Sequence, residues 1–110
     1  MTPRTPESRR RQAVTLVEQV AEIVYREGRR YPAFFYLTLL ETRDILADPE
    51  ESDAETALTD AAARFKKLYA SPRDNFSEFY VHSDDPQQRV AENGKFSELV
   101  NELRSTLHDS

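Results

Sequence analysis

The sequence predicts an all-α protein: a four-helix antiparallel bundle with an irregular aromatic segment between helices three and four. Three observations carry this expectation. Apolar residues recur at three- and four-residue spacing over separate stretches, the period of a helix with one buried face. Each stretch is opened by a capping residue, a proline or both, at Thr5-Pro6, Pro32, Ser52 and Asp85-Pro86. Glycine is scarce, with 2 residues in 110, which disfavours an all-β chain of many tight turns.

Residues 1–5 are expected to be disordered and residues 6–108 to form a single helical domain. Thr5-Pro6-Glu7 reads as an N-cap, a proline at the first helical position and an acid near the positive end of the dipole. Helix one then covers about Glu7 to Glu27. Val14, Val17, Ala21 and Val24 form its stripe, and Gly28 supplies a left-handed C-terminal position. The Arg29-Arg30-Tyr31 connection is short enough to pair helices one and two antiparallel. Nine of the ten residues from Pro32 to Glu41 are apolar, aromatic or threonine. A helix so apolar has no face to offer water, so helix two is expected to be the element the others cover, with Leu40 in the core.

Asp48 with Glu51 and Ser52 with Glu55 offer overlapping starts for helix three, and Ser52 is the preferred N-cap. Ala54, Leu58, Ala61, Phe65 and Leu68 share one face, and the helix is expected to end near Ala70. Ser71-Pro72-Arg73-Asp74-Asn75 is the densest cluster of helix breakers and reads as a loop. The following run, Phe76 to His82, fits one helical turn and then extended chain. Asp85, Pro86 and Gln88 match a capping box that opens helix four. Its stripe is Phe96, Leu99, Val100, Leu103 and Leu107. Val90 lies off that stripe, and Asn93-Gly94 predicts a kink or short break.

Composition narrows the function. The charged fraction of 32% beside 38% hydrophobic residues is that of a folded chain. Residues 1–30 hold 7 Arg against 4 Glu, whereas residues 31–110 hold 8 Lys and Arg against 16 Asp and Glu. An acidic body repels phosphate backbones and anionic lipid and attracts basic proteins, so neither nucleic acid nor membrane is an expected partner. The absence of Cys removes disulfides and thiolate metal sites. Met1 to Gln12 lacks the pattern of a signal peptide, and no apolar run approaches the length of a bilayer span, which makes a cytoplasmic setting the expectation. Arg9-Arg10-Arg11 is the one basic run. It reads first as a solvated helical turn whose stems cover apolar surface, and second as an arm for nucleic acid or an acidic partner.

The residues offer little catalytic chemistry. His82 and His108 are the only histidines, and His82 beside Ser83, Asp84 and Asp85 reads as a loop histidine next to an N-cap, since neighbours in sequence do not converge on one substrate atom. The acids from Asp48 to Glu55 lack calcium-loop spacing and its glycine. Gly28 and Gly94 stand alone, so no phosphate-cradling loop is present. No enzyme, cofactor or metal is therefore expected.

Asn75-Phe76-Ser77-Glu78-Phe79-Tyr80-Val81, preceded by a helix ending in Leu68-Tyr69 and followed by Asn93 and a Leu99 to Leu103 helix, resembles a group of small uncharacterised bacterial helical domains of unknown function. In these, a segment like Gly-Met-Gly-Ser-Phe-Asn-Asp-Leu occupies the middle. The likeness covers residues 58–107, and Ser71-Pro72-Arg73-Asp74 lacks the glycines of that pattern. Some of these domains look like immunity proteins that bind and block a toxin, so the resemblance implies a binding role. The function expected is thus a protein-binding module, immunity-like, with a basic partner. Its candidate partner-binding residues are Phe76, Glu78, Tyr80, His82, Asp84 and Asp85, with Phe76 and Phe79 anchoring the segment. The alternative is a homodimeric structural or regulatory protein that pairs the apolar faces of helices one and two.

Overall fold

The computed structural model describes residues 5–73 and 75–108. The expectation of disorder over residues 1–5 lies outside them except at Thr5, which is held as the cap of the first helix. Four α-helices account for most of the chain: α1 Pro6–Arg26, α2 Ala33–Leu46, α3 Ala54–Lys66 and α4 Pro86–His108. Short 3₁₀ turns occupy Gly28–Arg30, Lys67–Tyr69 and Phe76–Glu78. No strand occurs among the described residues, so the fold is all-α.

Most helix ends follow their local chemistry. The Thr5 hydroxyl accepts from the Ser8 amide at 3.1 Å, with Pro6 in the first turn, so Thr5 is the N-cap of α1. Gly28 closes that helix at φ +61, in the left-handed region that favours glycine. The cap of α3 corrects the sequence reading by one residue. Asp53, not Ser52, accepts from the Glu55 amide at 3.3 Å, while Glu51 receives the Asp53 amide at 3.0 Å. Asp85 caps α4 by accepting from the Gln87 amide at 3.0 Å, but no reciprocal box closes. The Asp85 amide donates to the Ser83 hydroxyl at 3.3 Å, and Gln88 reaches forward to Glu92.

Two larger expectations are overturned. The first is the break at Asn93-Gly94: α4 runs unbroken through both residues. Gly94 stays out of the left-handed region, and the Asn93 side chain donates to the Arg89 carbonyl one turn back at 2.8 Å. The second concerns the central element, which is α1 and not α2. Helices α1 and α3 each pack on all three others, α1 the more extensively through its faces on α2 and α4, whereas α2 packs on α1 and α3. The stripe Ala13, Leu16, Val17, Val20, Ala21 and Val24 is fully buried, and its two alanines allow close approach. In α2 the buried line is Phe35, Thr38, Leu39, Thr42 and Leu46. The Thr42 hydroxyl donates to the Thr38 carbonyl at 2.8 Å, so a polar atom is satisfied inside the helix and the threonine methyls can pack. That rotation leaves Phe34 at 37% and Leu37 at 53% exposure, with Leu40 half-buried.

The arginine run also departs from expectation. Arg9 donates to the Thr106 carbonyl at 2.9 and 3.1 Å, at the end of α4. Arg10 donates to the carbonyls of Leu46, Glu51 and Asp48 at 2.6, 2.7 and 2.8 Å. Two of the three side chains are therefore ties between the start of α1 and the ends of α4 and α2, where cations complement the negative helix termini. Arg11 alone is a solvated residue of the kind expected for all three.

Candidate functional site

The segment between α3 and α4 begins on a helical turn that cannot continue. Asn75 caps the Phe76–Glu78 turn by accepting from the Ser77 amide at 3.0 Å, while its amide group donates to the Tyr69 and Ser71 carbonyls. Phe79 then turns extended, at φ −64 and ψ 139. Phe76 is 2% and Phe79 7% exposed, and both pack on Phe96 of α4, with ring centroids 5.9 and 4.8 Å away. Phe35 of α2 meets Phe76 edge-on at 5.2 Å. This aromatic cluster anchors the segment, as the spacing of Phe76 and Phe79 implies, and it leaves Phe76 no surface with which to touch a partner.

The remaining candidates face outward. Tyr80 is 42% exposed, and Glu78, His82, Asp84 and Asp85 are exposed. Tyr80 and His82 stand edge to face at 5.5 Å. Asp85 is engaged by its cap, which leaves Glu78 and Asp84 as the acids whose carboxylates are not committed to a helix end.

Three ties hold the backbone beneath this surface. The Asn93 side chain accepts from the Val81 amide at 2.8 Å and donates to the Val81 carbonyl at 2.8 Å. One side chain thus pairs both backbone groups of an extended residue, as a neighbouring strand would. The Tyr31 hydroxyl donates to the Tyr80 carbonyl at 3.1 Å. The Glu27 carboxylate receives the His82 amide at 2.8 Å and lies 2.9 Å from its Nδ1. Consecutive residues 80, 81 and 82 are therefore fixed to the α1–α2 linker, to α4 and to the residue closing α1. Partial burial pushes the Tyr31 hydroxyl above its ordinary pKa.

Sequence reading placed Tyr31 in the short connection between helices one and two, and it missed the role of all three supports. Asn93 looked like a helix breaker because its amide partner is 12 residues away, and Glu27 looked like an ordinary helix-end acid. Beside His82 a groove of about 290 Å³ opens, lined by Ile23, Arg26, Glu27, Val81, Glu92 and Lys95. Its charges are mixed in sign over an apolar floor. The Glu27–His82 pair orients the imidazole ring, which lies 6.1 Å from Tyr31. Among the described residues no three His, Asp or Glu side chains gather as a metal site would require, and no helix is long and apolar enough to cross a membrane.

Comparisons with protein-family models, with curated proteins and with solved structures gave no match to this chain.

Proposed function

We propose that the protein is a non-catalytic binding module of the cytoplasm whose partner is a basic protein, in the manner of an immunity protein that holds and blocks a toxin. The observation that carries this reading is the pre-organised segment 79–82, whose outward side presents Tyr80 among Glu78, Asp84 and Asp85. A surface fixed before binding loses little conformational freedom on association, and an exposed tyrosine among carboxylates suits Lys and Arg side chains. The resemblance to small bacterial helical domains supports the same class of role.

Capture of a stoichiometric partner from the native cell is the first test, followed by affinity measurement with a double variant. Tyr80→Ala with Asp84→Asn is expected to keep the melting temperature and to weaken the partner by roughly 1 to 3 kcal/mol. An unchanged affinity for the captured partner would place the binding surface elsewhere.

A second reading, a homodimeric structural or regulatory protein pairing through α1 and α2, draws on a separate observation. Tyr25 on α1, at 68% exposure, and Phe34 and Leu37 on α2 are large apolar side chains in contact with water, and exposed apolar surface of this kind is what a pairing of the two helices would cover. Sedimentation over a wide concentration range checks it, and a strict monomer at the highest concentration would remove it.

A further inference from the structure

The end of α1, the start of α2 and segment 79–82 meet at one corner of the bundle. Tyr25 packs on Tyr36 at 5.2 Å, and Tyr31, between α1 and α2, stacks on Phe79 at 4.6 Å and reaches the Tyr80 carbonyl. Exposed apolar surface at this corner comes from Tyr25 and Tyr80. Exposed cations, Arg26 and Arg30, come from the α1 end, and exposed acids, Glu78 and Asp84, from the segment. The two charged flanks are held side by side by the Glu27–His82 and Tyr31–Tyr80 bonds.

We propose that a second copy of this chain docks on this corner about a two-fold axis, placing Arg26 and Arg30 of each copy against Glu78 and Asp84 of the other and shielding the acids from other partners. The proposal rests on the homodimer reading above and commits it to one surface and one symmetry. A uniformly acidic face selects a basic partner, but a face with both signs beside an apolar centre selects its own inverse. A two-fold copy is that inverse, because each contact of the pair is made twice with the roles exchanged. Tyrosine-rich centre and charged rim also match the anatomy of protein interfaces. Each copy carries a net charge of −5, so unspecific approach is repelled and the local pairing selects the orientation.

Charge reversal on the full chain tests this, because it separates pairing from folding. Arg26→Glu with Arg30→Glu forms one variant and Glu78→Lys with Asp84→Lys the other; Asp85 is left alone because it caps α4. Both variants are expected to melt as cooperatively as the parent and to self-associate at least about tenfold more weakly by sedimentation. An equimolar mixture of the two is expected to recover heterodimer at close to the parent affinity. A parent that stays monomeric at millimolar concentration overturns the homodimer reading and this proposal together. A parent dimer indifferent to both reversals, or a mixture that stays monomeric, overturns this proposal alone and leaves dimerisation through another face.

Discussion

The Arg10 guanidinium donates through Nε to the carbonyl of Leu46, the last residue of α2, at 2.6 Å. The same group reaches the Asp48 and Glu51 carbonyls, so one planar cation closes a helix end and the loop that follows. Carbonyls at a helix C-terminus lack intrahelical donors, and the dipole there favours positive charge. Arg10→Ala is expected to cost about 2 to 4 kcal/mol in chemical denaturation, since charge-assisted bonds are lost together and their carbonyls are left short of donors. Arg10→Lys restores only part of this, because an ammonium cannot fork across three acceptors. A loss below about 0.5 kcal/mol for the alanine variant would mean that water replaces the arginine at no cost.

Adjacent leucines of α2 provide a sharp contrast. Leu39 is fully buried and Leu40 half-buried beside the α1–α2 crevice. Leu39→Ala is expected to cost about 2 to 5 kcal/mol, with Leu40→Ala at about 1 kcal/mol, because a cavity can open only where the surroundings are closed. Equal losses at the two positions would show that α2 is turned differently from the orientation described above.

These two cases also mark what the sequence could reveal. Caps at Thr5 and Asp85, the left-handed Gly28 and the stripes of α1, α3 and α4 were legible because they depend on a few neighbours and on one helical period. The wet face of α2 was not, since choosing between Thr38 and Leu37 for the interior requires knowing which helices cover it. Nor was the role of Arg9, whose acceptor Thr106 lies 97 residues away. In the candidate site, the sequence reads Phe76 as a partner contact although it is buried, while the anchoring of the segment by Phe76 and Phe79 does follow from spacing. The ties from Glu27 and Asn93 do not, because both residues were already explained by local rules as a helix-end acid and a helix breaker.

Asn93 permits a test of how firmly the segment is held. Its amide group bonds both backbone groups of Val81 and the Arg89 carbonyl, and three partly buried bonds lost to Asn93→Ala are expected to cost about 2 to 3 kcal/mol. Hydrogen exchange gives the more specific readout: the Val81 amide should be protected in the parent and should exchange at least about tenfold faster in the variant. Amides at the centre of α1 serve as the control for global opening. If Val81 and α1 amides accelerate together, Asn93 acts on overall stability and not on the segment.

Acid stability offers a last test, through the cap of α3. Hydrogen bonding from the Thr56 hydroxyl, with smaller help from the Glu55 and Thr56 amides and from the charge of Arg10, holds the Asp53 carboxyl below its ordinary value of 3.8. A carboxyl whose pKa is depressed on folding binds its proton less readily in the native state than in the unfolded chain. Its contribution is therefore complete above the unfolded value and is lost as pH falls through that value to the depressed one. Asp53→Asn keeps an acceptor at the cap and removes the charge. The parent is expected to be more stable than this variant at pH 6, with the gap in urea midpoint narrowing below about pH 4 and closing once Asp53 is protonated in both states. A gap that stays constant into acid, or widens, would show that the cap works as a neutral acceptor and that the carboxylate charge contributes nothing to α3.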